Sequence, residues 1–204
     1  DKLESRTRAA SFLMSPYFAA TTTEHSHPDK TEVTRRGMYI AEHLLCNNIP
    51  VNEASPELVA RILGDEPDKL TQVEVGEIRR ASGACMRCHA VADKFGIALE
   101  QMGPFGNLRT QYTDGRKIAY SLFIGDSKES VTDINSFLKT TATDQRVHAC
   151  FVKTLTNKVA TMLTSSEQPC AAQVSSADSS LGIKDYIKKI VSSQLFKVVK
   201  TEGY

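Results

Sequence analysis

The sequence predicts a mainly α fold with one small β-hairpin, and three observations carry that prediction. Apolar residues recur at three- and four-residue steps in several separate stretches, as a single buried helical face requires. Helix start and stop signals bracket those stretches. The helical period is interrupted once, around Asp114-Gly115, where two short segments rich in β-forming residues flank a turn pair.

Taken in order, residues 3–18 are rich in Ala, Arg and apolar side chains and read as a helix broken near Ser15-Pro16, because proline has no backbone donor and restricts its predecessor. A polar loop holding His25 and His27 follows. Met38, Ile40, Ala41, Leu44 and Leu45 mark a helix over residues 34–46, which Asn47, Asn48 and Pro50 end. Ser55-Pro56-Glu57 is a start signal, with serine as N-cap and proline at the first helical position, and Gly64 stops the short helix it opens. Thr71-Gln72-Val73-Glu74 has the form of a capping box and launches another helix towards Cys85. Beyond Gly96, residues 97–102 read as one or two helical turns closed by Gly103-Pro104. The hairpin pairs residues 108–112 with 117–124. Val131, Ile134, Phe137 and Leu138 then mark one helix, and Val147, Phe151, Leu155, Val159 and Met162 a second. A Ser- and Ala-rich loop precedes a last amphipathic helix carrying Ile183, Tyr186, Ile187, Ile190, Val191 and Leu195. The expected organisation is one core domain over residues 1–165, with residues 166–204 as a loop and closing helix packed on it.

Composition narrows the functional classes. The 25 Lys and Arg nearly balance 24 Asp and Glu, so the net charge of +1 supplies no field to draw the chain to nucleic acid or anionic lipid. No apolar run approaches the roughly 18 residues of a membrane-spanning helix. The chain opens at Asp1 without a signal-peptide pattern, which fits a cleaved leader or missing upstream sequence.

The residues that carry chemistry are Cys85-Met86-Arg87-Cys88-His89. C-x-x-C-H is the attachment pattern for c-type haem. Two thiols three residues apart on a helical turn reach the vinyl groups along one porphyrin edge, and the adjacent histidine supplies an imidazole nitrogen to the iron. A thioredoxin-like pair wants a βαβ context, whereas Cys85 follows a capped helix. A zinc site wants four ligands, and Cys46, Cys150 and Cys170 are scattered singly. The fold is therefore expected to be cytochrome c-like, with one covalent haem c held by Cys85, Cys88 and His89. For the other side of the iron, His25 and His27 lie in a loop free to fold over a haem face. His43 and His148, like Met38, Met102 and Met162, fall where packing or a polar face explains them. Asp93, Glu100 and Arg109 each admit two readings, contacts to haem propionates or behind His89, or helix caps and surface ion pairs; Arg109 is the better propionate partner, because its guanidinium forks onto a carboxylate.

An ordered series extends beyond the motif: Ser26-His27-Pro28-Asp29-Lys30-Thr31, Arg36-Gly37, Glu42 with Leu44-Leu45-Cys46, then Cys85, Cys88, His89, Asp93, Gly96, Leu99-Glu100, Gly106, Arg109, Asp114-Gly115, Cys150, and a closing module over 187–196. This series resembles the cytochrome-like domains of unknown function found at the C-terminal ends of large secreted planctomycete and proteobacterial proteins. The resemblance implies a haem c domain that is usually preceded by further domains. It also favours His27 over His25 as the distal ligand, since His27 occupies the family's recurring histidine position. Lys94 and Met102 depart from the family's common proline and aromatic, which touches pocket geometry rather than attachment.

The expected activity is one-electron transfer to a protein partner or a neighbouring haem. The alternatives are an enzyme or sensor with an open iron site, peroxidase-like, and a haem-bearing structural subunit of a larger assembly. Among the remaining cysteines, Cys150 with Cys170 and Cys46 with Cys150 are rival disulfides. Both suit the periplasmic or extracellular setting in which haem c is attached.

Overall fold

The computed structural model describes residues 12–23, 30–50, 54–125, 128–160 and 183–192. Its described residues form helices joined by turns and isolated β-bridges, so the mainly α class is observed. They divide into two compact units, Asp1–Thr143 and Asp144–Tyr204.

The first unit opens with α1 (Pro16–Thr21). Pro16, expected to break a helix, starts one: Ser15 is the N-cap and its Oγ accepts the Phe18 amide at 3.1 Å. The expected helix upstream of it falls largely outside the described residues. α2 (Val33–Leu44) and α3 (Pro56–Leu63) lie where their apolar spacing and the Ser55-Pro56 start place them, with Gly64 at φ 81° ending α3. A 3₁₀ turn over Pro67–Lys69 leads into α4 (Gln72–Ala81), whose capping box is complete. Thr71 Oγ1 accepts the Glu74 amide at 3.2 Å, and the Glu74 carboxylate accepts the Thr71 amide at 2.7 Å. α5 (Met86–Ala98) follows after one turn.

α2 and α5 touch backbone to backbone, and glycine makes this possible. A Cβ on Gly37 would lie 1.7 Å from the Ala92 carbonyl oxygen, and one on Gly96 would lie 1.8 Å from that of Val33. Gly96 is thus an interior contact of α5, where the sequence suggested a break before a separate helical segment. α4 closes the third side, with Gly76 set against Ile97.

Over these helices the chain folds a core of Phe18, Val33, Ile40, Phe95, Ile97, Leu99, Met102, Val131 and Phe137. The expected hairpin is a turn with isolated bridges; no ladder long enough to name as a strand occurs among the described residues. Gln111 bridges Lys117, and the Tyr112 amide donates to the Arg116 carbonyl at 2.8 Å. The loop therefore holds three residues, and only Gly115, at φ 84°, needs the left-handed region. Asp114-Gly115 is therefore not a two-residue turn with positive φ at both positions. Val131, expected in the next helix, instead bridges Leu122. α6 (Ile134–Thr143) then completes the unit.

The second unit contains α7 (Gln145–Ala160) and α8 (Ile183–Ser192). Within it the His148 and Tyr186 rings meet edge to face at 5.0 Å between centroids. Leu195 and Cys170 lie outside the described residues. Cys46 and Cys150 are both disulfide-bonded. No helix among the described residues is long and apolar enough to cross a membrane.

Two fully buried charges organise the far end of the α2–α5 pair. Arg36, on the inward face of α2, donates to Thr22 Oγ1 at 3.0 Å and to the carbonyls of Leu99, Met102 and Gly103 at 3.1, 2.6 and 3.3 Å. It satisfies carbonyl groups released where α5 ends. Burial lowers its guanidinium to about 10, a pull that Glu100 opposes and Arg109 reinforces. Glu100 accepts from Thr31 Oγ1 and from Arg109, each at 2.5 Å. Burial nevertheless pushes its carboxyl above the ordinary range, outweighing the two guanidinium groups.

Candidate functional site

Cys85, Cys88 and His89 share the first turn of α5. Cys85 is its N-cap in αR geometry, and its carbonyl accepts the amides of Cys88 at 3.3 Å and His89 at 3.2 Å. The two sulfurs therefore project from positions i and i+3 of one helical turn, on neighbouring parts of its surface. Both are thiols and both are half-buried. The contrast with the oxidised Cys46 and Cys150 separates two chemistries within one chain. Cys88 Sγ donates to the Pro50 carbonyl at 3.3 Å.

His89 sits where α5 passes from the exposed to the buried. Met86 is exposed, whereas Ala92, Asp93 and the residues from Phe95 to Ala98 are buried. One turn on from His89, Asp93 has no exposed surface, and both its oxygens lie 3.0 Å from His89 Nδ1. Thr34, on α2, donates its hydroxyl to Asp93 Oδ1 at 2.8 Å and lies 3.4 Å from His89 Nδ1. Arg79, from the last turn of α4, donates to Thr34 Oγ1 at 3.3 Å.

The direction of these bonds fixes the ring. Arg79 has only donors, so Thr34 accepts from it and turns its own proton to Asp93. A carboxylate only accepts, so His89 Nδ1 carries the hydrogen. In the neutral ring Nε2 is then the nitrogen with the lone pair, and among the described residues it takes no hydrogen bond.

The structure thus brings Cys85, Cys88 and His89 together and adds Asp93 behind the histidine. Arg109 is engaged elsewhere: its Nη2 and Nε hold the Glu100 side chain and carbonyl, and its guanidinium lies 5.2 Å from the Tyr112 ring centroid. His27 and His25 lie outside the described residues.

Thr34 and Arg79 were not singled out from sequence, since each reaches the site only through the crossing of separate helices. Asp93 did carry a signal, at i+4 from His89 on the same helix. Among the described residues no three His, Cys, Asp or Glu side chains converge as a cage for a metal ion.

The donor set suits a c-type haem. Two free thiols at helical i, i+3 spacing and an adjacent imidazole with Nδ1 occupied and Nε2 open are the groups that covalent attachment and axial ligation require.

Residues 13–112 match the family model PSCyt3, a protein of unknown function (DUF1588). The PSCyt3 match takes in α1 to α5 with Cys85, Cys88, His89, Asp93 and Arg109, and it fits a cytochrome-like domain of unknown function. No curated protein and no solved structure matches the chain.

Proposed function

We propose that the chain is a monohaem c-type cytochrome domain that passes single electrons to a protein partner or a neighbouring haem. The observation that carries the reading is the first turn of α5, where two reduced cysteines and a histidine with Nε2 available stand on one helical surface. Cys85 and Cys88 would hold the porphyrin by thioether bonds, and His89 would be the proximal ligand. The bound group would supply a one-electron iron couple. The PSCyt3 label of the matching family supports the same cytochrome-like reading.

The chain's own residues prepare the site in two ways. Asp93 and Thr34 orient the imidazole before any ligand arrives, so Nε2 needs no reorganisation to bind. The Gly37 and Gly96 contacts hold α2 against α5 and so keep Thr34 within reach of Asp93. His27, with His25 as its alternative, is proposed as the second axial ligand on the family position described above. Arg109 is given no propionate role, because its guanidinium is committed to the buried Glu100. The disulfide-bonded Cys46 and Cys150 support a periplasmic or extracellular setting.

The test is a reduced-minus-oxidised absorption spectrum of the protein produced in a host that matures c-type cytochromes. A low-spin c-type spectrum that cyanide leaves unchanged is expected. A high-spin spectrum that shifts on adding cyanide means an open iron site and replaces electron transfer with ligand chemistry.

A further inference from the structure

We infer that Asp93, clamped by Thr34, sets the reduction potential of iron ligated by His89 and holds it low; the inference rests on the haem reading above. Asp93 is a positioning residue that would act on the iron only through the imidazole.

The geometry is specific. The carboxylate lies fully buried at the meeting of α2, α4 and α5, with both oxygens equidistant from Nδ1. A ring that shares its Nδ1 hydrogen with a carboxylate gains anionic character and becomes a stronger donor through Nε2. A stronger donor stabilises the more positive iron, and so the oxidised state of a one-electron couple. A backbone carbonyl in the same place would do less, because it carries no net charge.

Thr34 works in the opposite sense. Its hydroxyl donates to Asp93 Oδ1 at 2.8 Å, and Arg79 polarises that hydroxyl from 3.3 Å. Both draw electron density away from His89. The three residues come from three helices and make one graded chain: Asp93 lowers the potential, and Thr34 with Arg79 limits how far.

The opposed signs make the inference testable in holoprotein. Asp93→Asn keeps an oxygen acceptor for Nδ1 but removes the charge. It should favour reduction by about tenfold or more, which is an upward shift of at least about 59 mV for a one-electron couple. Thr34→Val removes the competing donor and the Arg79 contact while keeping shape, and should move the potential downward. If Asp93→Asn does not fold, the downward shift in Thr34→Val decides the matter alone.

A pyridine haemochrome on each preparation separates the two levels of the argument. Haem attached throughout, with both potentials within about twofold of the parent equilibrium constant, overturns the inference and leaves the haem reading standing. Absence of covalent haem from the parent protein removes both. In the apoprotein, ¹⁵N spectra provide an independent check. His89 should be the Nδ1–H tautomer in the parent, and a parent ring carrying its hydrogen on Nε2 overturns the assignment.

Discussion

Replacing Gly37 by alanine should destabilise the first unit severely, although the same change in an ordinary helix interior stabilises by about 1 kcal/mol. The reason is the crossing of α2 and α5. The added Cβ would lie 1.7 Å from the Ala92 carbonyl oxygen and 2.4 Å from its carbon, and neither is a side-chain atom that can rotate away. α2 must therefore back away by more than an ångström. Thr34 lies one turn from Gly37, and its 2.8 Å bond to Asp93 does not survive such a shift. Overpacking of this kind costs about 1–3 kcal/mol, and a lost hydrogen bond to a buried charged group about 1.5–3 kcal/mol, so a net loss of about 3–5 kcal/mol is expected. Gly96→Ala should cost as much, with its Cβ 1.8 Å from the Val33 oxygen. The assay is urea unfolding under non-reducing conditions, read as a fall in midpoint at unchanged slope. The double variant should lose less than the two single losses together, since one separation of the helices relieves both contacts. A Gly37→Ala protein as stable as its parent refutes the description of this interface.

The Arg109–Glu100 pair makes a second set of predictions. Arg109→Met removes the guanidinium bonded to the buried Glu100 carboxylate and should cost about 3–5 kcal/mol in thermal or urea unfolding, whereas Arg109→Met with Glu100→Leu should recover only part of the loss, because Glu100 also supports the buried Arg36. A single variant with parental stability would contradict the pairing. The capping box of α4 predicts a pH effect. Bonds from the Thr71 amide and hydroxyl hold the Glu74 carboxyl below its ordinary range, so their stabilisation is present above about pH 4.3 and is lost as pH falls through the lower folded-state value. Glu74→Gln should flatten that acid limb in a pH series of unfolding midpoints. Thr71→Ala should cost about 1 kcal/mol at neutral pH.

Much of the helical scaffold was legible because its signals are local. Ser55-Pro56 and the Thr71–Glu74 box start their helices as read, and each bond joins residues only three apart. Pro16 was misread because a proline that interrupts an apolar run looks the same in sequence as one at the first helical position; what decides is whether the preceding serine caps. Gly96 was misread as punctuation for a related reason. Its role is contact with the backbone at Val33, on a different helix, which no local pattern reports. The hairpin failed on turn length: Tyr112 pairs with Arg116, so Asp114 needs no positive φ.

The site divides in the same way. Cys85, Cys88, His89 and Asp93 lie on one helical stretch and could be found by spacing. Thr34 and Arg79 required the crossing of three helices. Arg36 left a trace that was open to reading: it stands among Val33, Gly37, Ile40 and Ala41 on the buried face of α2, and a charge on such a stripe demands buried partners. Arg109 is expected from sequence to fork onto a haem propionate; in the structure its Nη2 donates to the Glu100 carboxylate and its Nε to the Glu100 carbonyl.

The central claim is that Cys85 and Cys88 hold a haem covalently under His89. Its most direct test is a pyridine haemochrome on the denatured protein after acid–acetone extraction, beside a Cys85→Ala/Cys88→Ala variant made in the same host. The account predicts one haem per chain that stays with the polypeptide and gives a c-type spectrum, with none retained by the variant. A parent protein that yields all its haem to the solvent, or carries none, contradicts it.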